Sequence, residues 1–442
     1  MRVTRTLLAS SAGRLNWLDA DARRIMATRG LRTFAQTAVM VVVAIYLDLR
    51  GFTLVEVGVF LSLGSAGAAA SALVVGLVGD AIGRRRTLVG LALLMTVTGV
   101  ILATSEHFPV LVAAAFIGSF SALAGSGGGM GSLEQAILPV CVPPERRTDV
   151  FAWNSIVGVG AGALGALASG LVPAYERGAG VTGAAAFRVL FVGYAIAGLL
   201  LAVIYSRLSA RVEIPEAGRR WTNPLTLPSR RRILTLSTLF AVDSFGTGLA
   251  VESLASYWFF TRFGLRPEEL GLVFFASSVL TAVSLWAATR VAARIGLLNT
   301  MVFTHIPASL FLIGMVLVPD AWMAIALWLL RAFFGQMDAP TSQSYTMAVV
   351  QPTERTAMAS ATIVFRSTGV ALGPTVAAAL WTTAAASVPF ICGGLVKITY
   401  DLTLWGMFRR LRPPEEEMPL ERPARDGAVL VTTTSPQGRR QP

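Results

Sequence analysis

The chain has 442 residues, 54% of them hydrophobic and only 14% charged; a soluble domain carries about 25% charged residues, so a water-soluble globule is excluded. The formal charge of +12 lies in short arginine clusters between apolar blocks, without the interleaved aromatics of a nucleic-acid surface, and no nucleic acid is expected as a partner. Runs such as 39–46 and 190–205 do not alternate apolar with polar residues, which argues against a transmembrane barrel as well.

In chain order, residues 1–30 read as a cytoplasmic N-terminal segment with no apolar core long enough for a secretory signal. Apolar blocks follow at 31–47, 54–78, 87–104, 108–138, 150–172 and 186–204, giving a six-helix bundle over 31–206. They run close to the ~20 residues that cross a hydrocarbon core, and several exceed it, which implies tilt or a broken helix. Residues 207–232, rich in Arg and Pro, form a basic cytoplasmic linker whose guanidinium groups can touch anionic lipid. Six further blocks, 233–260, 268–293, 299–318, 322–350, 356–385 and 388–408, make a second bundle over 233–408. The tail 409–442 lacks apolar periodicity and reads as disordered and cytoplasmic.

The expected fold class is therefore an all-α polytopic membrane protein, its 12 transmembrane helices arranged as two six-helix bundles in the lipid bilayer. Arg84, Arg85, Arg86, Arg146, Arg147, the linker, Arg290, Arg294, Arg355 and the tail arginines fall on one side of the threading. Cytoplasmic loops carry such an excess, so both termini and the linker are expected in the cytoplasm and the chain in the inner membrane.

The two halves repeat each other. Gly51, Glu56 and Gly58 recur as Gly264, Glu269 and Gly271, and Gly83 answers Gly296 in the same register. In a slightly shorter register, Pro144, Arg147, Leu164 and Gly165 match Pro352, Arg355, Leu372 and Gly373. Parallel six-helix repeats place a cavity between the halves, a natural path for a substrate.

Between the second and third blocks stands Gly76-Leu77-Val78-Gly79-Asp80-Ala81-Ile82-Gly83-Arg84-Arg85-Arg86. With the helix count and the half-repeat, this loop resembles the signature of the major facilitator superfamily, although Ala81 stands where the family usually has a base. The resemblance implies a major facilitator fold and a gating loop of Gly76, Gly79, Asp80, Gly83, Arg84 and Arg85. In it Asp80 latches onto the start of the eleventh block, where free N–H groups attract a carboxylate, and Gly76 and Gly79 allow the two helices a close approach. A plain topology-setting turn is the alternative reading of the arginines. Two other patterns are partial: Arg331-Ala-Phe-Phe-Gly335 resembles a motif of proton-linked members, and Gly369-Val-Ala-Leu-Gly373-Pro374 a helix-packing motif of antiporters, each in the opposite half from its usual place.

Ionisable side chains at mid-bilayer cost at least about 2.5 kcal/mol on insertion scales and need a partner or a wet cavity. Asp243 and Arg331 each lie roughly 15 Å from a membrane edge, and Arg366 is near the middle. Asp338 sits two turns beyond Arg331 on the same face, with Gln336 between them. Asp338 is expected to neutralise Arg331 or Arg366, and Asp243 to exchange a proton or meet a cationic substrate; permanent structural pairing is the competing role. Glu134 and Gln135 follow a glycine-rich stretch, 126–131, that suggests a broken helix, and Gln343 matches Gln135 in the repeat. Glu134 either faces a cavity or pairs with Arg146 or Arg147. Lys397 and Asp401 are spaced to bridge within one helix, and Glu56 and Glu252 are placed at the interface.

Cys141, Cys392, His107 and His305 form no metal or redox spacing, and no nucleophile, base or metal set converges, so neither enzyme chemistry nor a cofactor or metal is expected. No phosphate-binding Walker loop is present. The expected function is secondary active transport of a small molecule by alternating access, coupled to protons and directed to efflux of a lipophilic or cationic compound. Metabolite uptake or facilitated exchange is the alternative, and from another class a non-transporting membrane sensor. No obligate protein partner is evident.

Overall fold

The computed structural model describes residues 18–121, 128–143, 147–213, 228–338, 341–342, 345–346, 350 and 355–409. The first half holds α1 (Ala20–Met40), α2 (Val43–Leu49), α3 (Leu54–Ile82), α4 (Arg84–Thr104), α5 (Phe108–Ile117), α6 (Gly128–Ile137), α7 (Arg147–Ser169), α8 (Val172–Ala179) and α9 (Ala184–Ser206). The second holds α10 (Arg230–Leu249), α11 (Glu252–Phe263), α12 (Pro267–Ile295), α13 (Leu297–Leu317), α14 (Ala321–Phe334), α15 (Arg355–Thr383) and α16 (Val388–Phe408). Eight spans are long and apolar enough to cross a membrane, α10 and α11 together making one of them. The first crossing is the pair α1 and α2, bent by 41°, the fourth and tenth contain the shorter apolar helices α5 and α14, and α16 is the last. Together they make the twelve helices of a polytopic α-fold. α1 starts at Ala20, inside what the sequence suggests is the N-terminal segment.

The half-repeat marks how the helices stop and start. Gly51 and Gly264 (φ +84° and +67°) and Gly83 and Gly296 (φ +99° and +86°) all hold left-handed backbone, which a Cβ would strain. Glu56 accepts from the Thr53 N–H at 2.8 Å, and Glu269 accepts from the Arg266 N–H at the same distance. Each carboxylate thus satisfies an orphan donor at the start of a long helix.

The face carrying the α3–α4 loop and the linker is here called the linker face, and the opposite one the far face. The halves meet through α3 with α15, α7 with α12, and α2 with α11. Their tightest junctions lie toward the far face. A Cβ on Gly58 would come 2.6 Å from Ala378 Cβ and 2.7 Å from the Pro374 carbonyl, and one on Gly271 2.8 Å from the Ala166 carbonyl. Ser62 Oγ accepts from Thr375 N–H and Oγ1 at 3.0 and 2.8 Å. Buried apolar packing agrees: one core runs through the first half and across to Leu254, Phe274, Leu312 and Phe390, while a separate one, around Phe240, Met301 and Tyr400, serves the linker side of the second half. Gly76 of α3, toward the linker face, has nothing among the described residues within 4 Å of where a Cβ would be. The far side is closed by direct packing between the halves.

Candidate functional site

The signature loop is joined to the linker. α4 begins directly after Gly83, and its first N–H groups are aimed at the linker: Glu213 accepts from Arg84 N at 2.7 Å and from Arg85 N at 3.1 Å. Arg85 Nη1 also donates to the Leu208 carbonyl at 3.3 Å. Among the described residues, Gly79 faces Val75 and Leu133 of its own half and nothing lies within 4 Å of a Cβ on Gly76, while the close approach to the eleventh span found there is at Gly58, nearer the far face. The Asp80 side chain lies outside the described residues. Gly369 and Gly373 pack α15 on α10, where added Cβ atoms would meet the Ala241 carbonyl at 2.2 Å and Gly248 at 2.3 Å, and Pro374 lies on the face that meets Gly58.

Two buried ionic clusters occupy the halves. In the first, Glu134 of α6 forms an ion pair with Arg32 of α1. Its other oxygen accepts from Tyr205 Oη at 2.5 Å and Thr28 Oγ1 at 3.2 Å. The sequence offered Arg146 or Arg147 as partners for Glu134; their side chains lie outside the described residues, and the pairing found is with Arg32. Arg29 stands one turn before Arg32, its Nε facing Gly158 of α7. Gln135 is exposed on the opposite side of α6.

The second cluster is a chain of contacts across three helices of the second half. Lys397 Nζ of α16 donates to Asp243 of α10 at 2.7 Å and lies 3.2 Å from His305 Nε2 of α13. His305 Nδ1 is 3.1 Å from both oxygens of Asp401. A neutral imidazole protonated on Nδ1 fits both ends, donating to Asp401 and accepting from the Lys397 ammonium. Lys397 and Asp401 therefore do not bridge directly along their helix but through His305. Arg366 lies over the Phe240 ring at 4.5 Å and acts electrostatically on Asp243.

Asp338 is buried near this chain, and its charge acts on His305 and Tyr400. It does not neutralise Arg331. The carboxylate acting on Arg331 is Glu252, whose helix α11 starts where the seventh span breaks at Ala250 and Val251. Arg331 also lies 4.5 Å over the Trp328 ring. Glu252 thus sits within the bundle and not at its edge. Gln336 is exposed, and Gln343 lies outside the described residues. In the loop after α6, burial pushes the Cys141 thiol up to about 11, which keeps it protonated and unreactive at neutral pH.

Arg29, Arg32, His305 and Lys397 are the residues that sequence reasoning undervalued. The i, i+3 spacing of Arg29 and Arg32 at the start of an apolar block was the available signal. His305 carried none, because its partners Asp401 and Lys397 are roughly ninety residues away.

A family model described as Major Facilitator Superfamily matches residues 25–330 and, in a second match, 233–440. An uncharacterized membrane protein of Saccharomyces cerevisiae, YJR124C, is 24% identical over 423 residues, covering 88% of this chain and 94% of its own. Among solved structures, the nucleoside transporter NupG superposes with TM-score 0.70 at 11% identity over 88% of this chain and 100% of its own. A bacterial homolog of the human lysosomal transporter Spinster, inward-facing and occupied, gives TM-score 0.64 at 15% identity over 88% and 96%. At such identities the structural likeness speaks for the fold.

Proposed function

The chain belongs to the Major Facilitator Superfamily, and from that premise we propose that it is a secondary active transporter moving a small molecule by alternating access, driven by protons and working as an exporter. The linker face is the cytoplasmic one in this reading, as its arginines require. The observation that carries it is the pairing of a tightly packed far-face closure with a buried chain of ionisable groups in one half. Ser62, Thr375, Gly58 and Pro374 join the halves on the far side, so rocking about these contacts opens one face as it closes the other. The Asp243–Lys397–His305–Asp401 chain lets a proton pass from the ammonium to imidazole Nε2 while Nδ1–H hands its own to Asp401. Each transfer changes the charge that holds α10, α13 and α16 together, which links protonation to helix position.

A cationic substrate on a free Asp243 is not retained, because Lys397 already neutralises that carboxylate at 2.7 Å. The antiporter-like Gly369, Gly373 and Pro374 pattern supports export. The test is flux in proteoliposomes with an imposed pH gradient. Substrate accumulation that follows the gradient and collapses in Asp243→Asn supports the reading; full gradient-driven flux in that variant removes the chain from coupling.

A further inference from the structure

The first-half cluster carries more positive charge than its surroundings balance. Glu134 is the carboxylate whose charge acts on both Arg29 and Arg32 among the described residues, and its oxygens are already taken by Arg32, Tyr205 and Thr28. Arg29 Nε, Arg32 Nε and Arg32 Nη1 are buried with no hydrogen-bond partner among the described residues. Arg32 is 2% exposed, so water does not reach the guanidinium freely. The second half balances its charges differently: Lys397 and Arg366 stand against Asp243, Asp401 and the nearby Asp338. Arg366 there also has buried Nε and Nη2 without a hydrogen-bond partner among the described residues, but it stands in a set with no excess of positive charge.

We infer that Arg29 and Arg32 form the binding site for an oxyanion group, carboxylate or phosphate, on the transported molecule. This rests on the transporter reading above. A guanidinium presents its donors in a planar fork that matches such a group and forms charge-assisted bonds with it. The Arg29 guanidinium packs against Gly158, where a Cβ would come 3.1 Å from Nε. Arg29 and Arg32 lie about 13 and 18 Å along α1 from its linker-face start. The unpartnered nitrogens are buried between helices of the first half, which favours a small organic anion over a lipid headgroup. One net positive charge remains in the empty site and is neutralised when the anion binds.

The test uses the purified full-length protein with carboxyfluorescein and methylumbelliferyl phosphate as anionic probes, ethidium as a cationic one and phosphatidylglycerol as the lipid arm. Binding is read by thermal unfolding and flux in phosphatidylcholine liposomes. Arg29→Gln spares the Glu134 ion pair, and Arg29→Lys keeps the charge without the fork. The anions should raise the unfolding temperature of the wild type, and Arg29→Gln should weaken them by about tenfold or more, as loss of charged hydrogen bonds implies, with Arg29→Lys falling between. Anion binding without flux of any probe keeps this site and overturns the transporter reading. Flux of ethidium with no anion binding overturns the site and leaves the transporter reading standing. Stabilisation by phosphatidylglycerol alone, or unchanged anion affinity in Arg29→Gln, also overturns it.

Discussion

The two ionic clusters solve the same problem, charge buried in an apolar bundle, in opposite ways. In the second half Asp243, Lys397, His305 and Asp401 form one continuous chain that ends on carboxylates at both sides. In the first half one carboxylate serves two guanidinium groups and leaves three nitrogen atoms unpartnered. A closed chain can shift a proton along itself without gaining or losing net charge; an unbalanced cluster is completed only by something that arrives. The difference divides the labour between coupling and binding.

The largest expected effect breaks the closed chain. Lys397→Met leaves Asp243 buried without its ammonium and should destabilise the fold by about 3–5 kcal/mol, measured as loss of thermal stability of the purified protein. The double variant Asp243→Asn with Lys397→Met should recover most of that stability and remain uncoupled. Glu134→Gln attacks the other cluster and leaves both Arg29 and Arg32 uncompensated, a loss also in the range of about 3–5 kcal/mol. Asp243→Asn should cost only about 1–3 kcal/mol, because His305 stays within reach of Lys397. Equal losses in Glu134→Gln and Asp243→Asn would erase the contrast between the halves.

Gly58→Val tests the hinge common to both. The new side chain meets the Pro374 carbonyl and Ala378 and should weaken the far-face closure by about 1–3 kcal/mol, read as increased labelling of cysteines placed at Ser62 or Thr375 from the far side. The smallest effect belongs to the linker. Glu213→Gln should cost about 0.3–1 kcal/mol at the start of α4, and the difference from wild type should shrink in high salt.

Much of this was legible in the chain. The twelve crossings followed from block length and apolarity, and the repeat from Gly51, Glu56 and Gly83, whose counterparts Gly264, Glu269 and Gly296 take the same positive φ or the same capping bond. These features are local: a glycine needed for left-handed backbone or a glutamate closing a first turn acts within four residues of itself. That Asp243 is buried within its span was equally readable, because an apolar block with one charge in it is a local pattern.

Partners were another matter. Asp338 stood closest in sequence to Arg331 on one helix face, yet Glu252, from a broken span, answers Arg331, and His305 lies near Asp338. Glu134 had Arg146 and Arg147 close by in sequence and pairs with Arg32 of the first span. Residue order alone determined what each span contains, where it starts and stops, and how much charge it takes into the bilayer. Which of those charges meet was decided by tertiary packing, because an ion pair in a low-dielectric interior depends on ångström-scale distances between helices, and chain separation does not set those distances.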